Sequence, residues 1–409
     1  MQVSLILFYC LISATAKKYS FFINRVNILL QLLSFDRKGG YKTIKYLITK
    51  IFPSSLLLSL TLLTCIFGVQ EAKSQVQIGA YYFDGWAGQN SKANDPKEPW
   101  AVNAPVLLTR KLVEEFKDRE PVWGWRDDTQ AIMEKQIDLA AANGIKFFLF
   151  CWYWKDSNGP INPSAIESLS LHTSMNLYLK AQNKNKIKFG LLIANHGGSE
   201  IKGTENWEKA TKYWMKYFKD PQYITVGGKP LVVIYNPSGI DADGLARMQD
   251  ISQKEGLQGL SIAGCGNTIN EDFTYRTHYS ISKGYATGSE NHKYSELVDV
   301  HKKAWMGTEK QPYIPEISAG WDKRPWEGPT GLNQEPGWYY TDRTPKQFKN
   351  FLNDAIQWMD SHPTQTTKER IVLIYAWNEL GEGGYLVPTK GDPKASYLKM
   401  IRSVVFSRP

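Results

Sequence analysis

The sequence predicts a (β/α)8 TIM barrel, and three observations carry that expectation. Short apolar runs alternate with amphipathic stretches eight times between residues 77 and 405, the pattern of parallel strands each followed by a helix. The last run, Ile371-Val-Leu-Ile-Tyr375, reads as a strand buried on both faces. The competing doubly wound sheet needs a glycine-rich phosphate loop after its first strand. Asp84-Gly-Trp-Ala-Gly88 instead runs into a long irregular insertion.

Residues 78–83 form the expected first strand, followed by an insertion over 84–128 rich in Trp, Pro, Asn and Asp. Periodicity predicts a helix over 129–142, stopped by Asn143-Gly144. The second strand covers 146–154, a helix lies near 168–181, and the third strand covers 188–196. Trp207, Ala210, Trp214, Tyr217 and Phe218 then share one helical face. A fourth strand over 229–236, a helix near 243–255 and a fifth strand over 260–265 continue the alternation. A weak sixth strand is expected around 279–285, a helix near 294–305, and a seventh strand over 313–322. Phe348, Phe351, Leu352, Ala355, Ile356 and Met359 mark the last long helix. The eighth strand spans 370–377, and a helix over 395–405 follows. No internal repeat or low-complexity linker divides this stretch, so residues 75–409 are expected to form one catalytic domain.

Residues 1–74 read differently. They hold nine Lys/Arg against two Asp/Glu, whereas residues 75–409 hold 40 against 38. The charge of +9 for the whole chain therefore belongs mostly to the first segment, and the folded part has no electrostatic case for nucleic acid. Lys42, Lys45 and Lys50 precede an apolar run over 56–67, which small and polar residues follow up to Gln75. A basic flank, a short apolar run and small residues make a secretory signal, with cleavage expected near Ser74. The run is short for a membrane span, so no stable span is expected in the mature chain. Thr64 is a poor neighbour for lipid attachment at Cys65. The expected location is periplasmic or extracellular. Beyond the signal, only Cys151 and Cys265 remain. They are either buried thiols or a single disulfide, and neither has metal-ligand spacing.

In a barrel the site gathers at the carboxyl ends of the strands. Those ends carry Tyr81, Tyr82 and Asp84; Trp152, Tyr153 and Trp154; Asn195 and His196; Tyr235 and Asn236; Cys265; Tyr285; Glu316, Trp321 and Asp322; then Trp377, Asn378, Glu379 and Glu382. The set is aromatic, amide and acid. Aromatic rings stack on the C–H faces of sugars while amides and carboxylates bond the hydroxyls. A phosphate ligand would call for Lys, Arg or a glycine nest. The expectation is a carbohydrate substrate, an oligo- or polysaccharide, with no metal and no cofactor. Glu379 and Glu382 are the candidate catalytic acids, equipped for acid/base work on a glycosidic bond. Several of the others have plainer readings. Asp84 is also a turn-former, His196 also a wall residue, and Trp123, Trp125 and Asp127 form either a lid or a satellite cluster under a long loop.

The run Tyr375-Ala-Trp-Asn378-Glu379-Leu-Gly-Glu382-Gly383, with Gly320-Trp-Asp322 and Tyr81-Tyr82, resembles the glycoside hydrolase family 99-like group. That group includes endo-acting α-mannosidases and the WbsX-like proteins labelled as glycosyltransferases of surface polysaccharide loci. The resemblance implies a barrel over residues 77–405 and a retaining hydrolase. It implies that Glu379 acts as base on the sugar 2-hydroxyl, which attacks C1 to give a 1,2-anhydro intermediate. It implies that Glu382 is the general acid and then the base for water, unlike the carboxylate nucleophile of most retaining enzymes. The hydrolases typically show Trp-His between the two acids, where this chain has Leu380-Gly381. A WbsX-like glycosyltransferase and a non-catalytic carbohydrate-binding barrel are the alternatives.

Overall fold

The computed structural model describes residues 75–154, 162–267, 269–307 and 310–406. The expected signal over residues 1–74 lies outside them. Eight parallel strands make the barrel: β1 (Gln77–Tyr82), β2 (Ile145–Trp152), β3 (Lys188–Ile193), β4 (Lys229–Ile234), β5 (Ser261–Cys265), β6 (Tyr275–Thr277), β7 (Glu316–Ser318) and β8 (Ile371–Tyr375). They pair in the order β6-β5-β4-β3-β2-β1-β8-β7. The seam between β6 and β7 is closed by a parallel bridge from Arg276 to Tyr313, with Ile314 N donating to Arg276 O at 2.8 Å. The helices of eight or more residues are α1 (Gln130–Ala142), α2 (Thr173–Lys180), α3 (Thr204–Phe218), α4 (Ala242–Lys254), α5 (Tyr294–Trp305), α6 (Pro345–Ser361) and α7 (Ser396–Val405).

The strands are apolar on both faces because helices cover the outside and side chains fill the inside. All five residues of β8 are buried. Close strand packing uses small residues: a Cβ at Gly79 would meet the Phe147 ring of its pairing partner at 2.2 Å. Helix starts are set by side-chain caps. Thr129 accepts from Ile132 N, Asp241 from Gly244 N, and Thr344 forms a capping box with Gln347 ahead of Pro345. Helix α1 ends where expected, at Asn143, with Gly144 at φ +90° supplying the left-handed turn. At the far end Arg402 Nη1 donates to Ala142 O at 2.7 Å, tying α7 to the end of α1.

The sixth strand differs from expectation. It lies at Tyr275–Thr277, not at 279–285. Arg276 interrupts the apolar pattern there, yet it is buried, with Nη1 on Asn267 O at 2.9 Å and its guanidinium over the Tyr313 ring. Among the described residues no helix separates β5 from β6. Both remaining cysteines are free thiols.

Candidate active site

The two acids share one hairpin beyond β8. A two-residue strand, Asn378–Glu379, pairs antiparallel with Gly384–Tyr385, placing Glu379 opposite Gly384 and Glu382 in the turn. The glycines there have separate reasons. Gly383 has φ +78°, a conformation that favours glycine. A Cβ at Gly384 would meet the Tyr375 ring at 2.2 Å, and one at Gly381 the Trp326 indole at 2.0 Å. The last two therefore make room for rings.

Each carboxylate holds one phenol. Tyr279 Oη donates to Glu379 Oε1, and Tyr375 Oη donates to Glu382 Oε2. Glu379 Oε2 is buried without a hydrogen-bond partner among the described residues. Burial pushes the Glu379 carboxyl well above the usual range; the charge of Glu382 adds to this and the Tyr279 phenol opposes it. Burial also raises Glu382, to about 7, against the Tyr375 phenol and the Lys323 ammonium. Two raised, mutually repelling acids titrate as a pair, so between their two steps they share a single proton.

Both acids line a cleft of about 620 Å³, within the size range of small-molecule sites. Its walls are aromatic, with Phe83, Tyr153, Tyr235, Tyr279, Tyr285, Trp321 and Trp326, and its polar lining includes His196, Ser280, Ser282 and Gln334. Among the described residues no Lys or Arg lines it. Lys323 is buried nearby, with Nζ 4.2 Å from the centre of the Tyr285 ring and 3.6 Å from Glu327 Oε1, and bonded to Glu335 O. No cluster of three His, Cys, Asp or Glu able to hold a metal occurs among the described residues. None of the helices described is long and apolar enough to cross a membrane.

Of the residues singled out in the sequence, Tyr153, His196, Tyr235, Tyr285 and Trp321 join Glu379 and Glu382 in the cleft lining. The others stand behind it. Tyr81 is buried and donates to His278 O at 2.9 Å. Tyr82 donates to Asp127 Oδ2 at 2.9 Å, and Trp377 Nε1 to Gln136 Oε1 at 2.7 Å. Asp84 accepts from Ser174 N at 2.7 Å and Met175 N at 3.3 Å, meeting the positive end of α2. Trp152 and Trp154 are buried against each other, and Trp152 stacks on His172, while Tyr153 between them faces the cleft. Asn195 pairs with the backbone of Asn236, accepting from its N–H and donating to its carbonyl at 2.8 Å each. The Asn236 side chain bonds Ser238. Asn378 bonds both Phe83 N and Phe83 O at 2.8 Å, clipping the hairpin to the chain after β1. Asp322 is locked by Arg119 and by Arg324 at 2.7 and 2.8 Å. Trp125 packs on Trp86, which belongs to the main apolar core, Trp123 packs on the same core, and Asp127 is buried near Tyr82, so this group extends the core and is neither a lid nor a separate cluster.

Tyr279, Tyr375 and Trp326 belong to the cleft or to its acids, yet the sequence does not single them out as site residues. Tyr279 sits just past the true end of β6, a position readable only once that strand is known to stop at Thr277. Trp326 follows the Gly-Trp-Asp step by four residues, and no spacing rule points it at Gly381.

The fold is a (β/α)8 barrel. Its structure is similar to a family 99 endo-α-mannosidase from Bacteroides thetaiotaomicron, with a TM-score of 0.53 and 15% identity over 81% of this chain and 97% of that one. A glycoside hydrolase-like protein aligns with a TM-score of 0.54 and 16% identity, covering 82% and 95%. Likeness at that identity concerns the fold. By sequence, the chain belongs to the family described as glycosyltransferase WbsX, whose pattern matches residues 125–401. It is also 22% identical over 191 residues to the uncharacterized protein WxcX of Xanthomonas campestris pv. campestris, strain B100, a match covering 42% of this chain. The chain spans about a quarter of that relative's length (26%).

Proposed function

We propose that this protein is a retaining glycoside hydrolase acting on an oligo- or polysaccharide, with Glu379 and Glu382 as its catalytic pair. The observation that carries the reading is the pair itself: a buried and a partly buried carboxylate on one hairpin, each held by a single phenol, opening on an aromatic cleft. In the reaction Glu379 accepts the proton of the 2-hydroxyl as that oxygen attacks C1. The bond from C1 to the leaving oxygen breaks, and Glu382 delivers its proton to that oxygen. Glu382 then takes a proton from water, whose oxygen attacks C1 as the C1–O2 bond breaks, while Glu379 returns a proton to O2. A substrate 2-hydroxyl bonded to Glu379 favours the arrangement with the shared proton on Glu382, as this sequence of steps requires. The substrate class is an α-mannoside-like glycan, cut within the chain, by analogy with the barrel's structural neighbour. An exported location, suggested by residues 42–75, fits such a substrate.

The family description favours a second reading, a glycosyltransferase of surface polysaccharide assembly. A nucleotide-linked donor brings a diphosphate, which calls for a cation or metal. The described lining of the cleft supplies two carboxylates and neither Lys nor Arg. Incubation with a panel of α-mannans and related bacterial and plant glycans, without any donor, separates the readings. Release of reducing sugar supports hydrolysis, and product formation only with an added sugar nucleotide supports transfer. Glu379→Gln and Glu382→Gln should each lower kcat by about 100-fold or more with unchanged thermal unfolding. Full turnover in either variant sinks the assigned mechanism.

A further inference from the structure

The Leu380-Gly381 step between the acids reads as a loss when set beside the Trp-His of related hydrolases. Around Gly381 the structure has filled that space from another part of the chain. Leu380 is buried, and the Trp326 indole lies against Gly381 so closely that a Cβ there would stand 2.0 Å from Cε2 and 2.3 Å from Cζ2. Trp326 comes from a short 3-10 turn, Arg324–Trp326, in the loop after β7. It is buried, packs on Phe83 with ring centroids 5.9 Å apart, and lines the cleft that holds Glu379 and Glu382.

The loop is built to hold this ring. Trp326 O accepts from Leu332 N at 2.9 Å and Gln334 N at 3.0 Å, so the indole is tied to two further lining residues. From the first insertion, Thr109 Oγ1 donates to Pro325 O at 3.0 Å, and Lys111 Nζ to Arg324 O and Glu327 O at 3.1 and 3.3 Å. At the loop's start, Asp322 N donates to Glu382 O at 2.6 Å, joining it to the hairpin of the acids. An indole fixed from three sides and open to an aromatic cleft is a preorganised stacking surface, whose ordering cost is met before ligand arrives.

We infer that Trp326, seated in the slot left by Gly381, is a specificity-determining wall of this site, stacking on the C–H face of a neutral sugar ring held beside the acid pair. Gly381 is then the residue that admits it. The inference rests on the carbohydrate reading proposed above, though not on hydrolysis.

Two variants and their combination test it. Gly381→Ala pushes the indole aside, Trp326→Ala removes it, and the double variant relieves the clash. The probe is the glycan of the panel that the unsubstituted protein cleaves. If none is cleaved, the probes are methyl α-D-mannopyranoside and mannotriose, read by saturation-transfer NMR. Either single substitution should raise KM or Kd about tenfold or more with kcat little changed. Gly381→Ala should add little in the Trp326→Ala background, because the clash is gone. Trp326→Phe, which keeps a ring face, should recover most of the affinity and reports on whether the loop still folds. Additive effects of the two alanine variants overturn the proposal. So does a loss confined to kcat, affinity unchanged in Trp326→Ala, or no saturation transfer from the unsubstituted protein to any probe. Binding without cleavage that depends on Trp326 overturns hydrolysis and leaves this inference standing.

Discussion

The chemistry of the site turns on how two carboxylates are kept different. Both are raised by burial, and each repels ionisation of the other, so the form with one shared proton is the working form of the proposed mechanism. Below its first titration both acids are protonated and no base is present. Above its second both are ionised and no acid remains. Because both values are raised, the bell-shaped profile of kcat/KM should lie above the ordinary carboxylate range of about 4, with an alkaline limb near or above neutrality. Tyr279 donates to Glu379 and so favours its ionised form. In Tyr279→Phe that help is lost, the carboxyl rises further, and the alkaline limb, which follows the more strongly raised acid, should move up by about one pH unit. A limb that stays in place or moves down would show that the phenol does not tune the pair.

At the scale of elements, the hairpin of Glu379 and Glu382 is short and depends on clamps from elsewhere in the chain. Asn378 fastens one side to the chain after β1. On the other side the β7 loop is held by Asp322, ion-paired with Arg119 and Arg324. Arg119 also donates to Leu380 O at 3.0 Å, within the hairpin. Burial alone would raise the Asp322 carboxyl, but the two guanidiniums hold it below the usual range. Such a depressed group adds stability above its unfolded pKa, and the gain is lost as pH falls through the folded value, below about pH 4. Breaking a buried pair from one side leaves an uncompensated charge. Asp322→Asn should therefore lower stability by about 3 kcal/mol in chemical denaturation at pH 7, and by less as the pH approaches 3. Equal losses at both pH values would contradict the assignment.

Across the whole molecule, closure of the barrel brings strand ends far apart in sequence to one mouth. Tyr279 lies 100 residues from Glu379 and Phe83 lies 295 from Asn378, yet both pairs are hydrogen bonded. All eight strands and the helices that cover them fall within residues 77–405, with Gln77 N already bonded to Arg370 O at 3.0 Å. A chain of residues 75–409 should accordingly fold by itself and show the same thermal transition as the full chain in calorimetry. A clear fall in its transition temperature would mean that residues 1–74 contribute to the core.

The alternation of period and the buried run over 371–375 determined the fold class from sequence, because burial on both faces leaves a continuous apolar signal. The proximity of Glu379 and Glu382 was legible too, since they are three residues apart on one hairpin and need no distant partner to be seen together. What surrounds them was decided by tertiary structure. Asp84, Asn195, Asn378 and Asp322 sit at strand ends like site residues, but backbone groups hold Asn195, Asn378 and one oxygen of Asp84, and guanidiniums hold Asp322. The phenols of Tyr279 and Tyr375 and the indole of Trp326 reach the site instead. A strand end reveals only that a residue is near the mouth, and which way its side chain turns depends on partners that barrel closure brings from elsewhere.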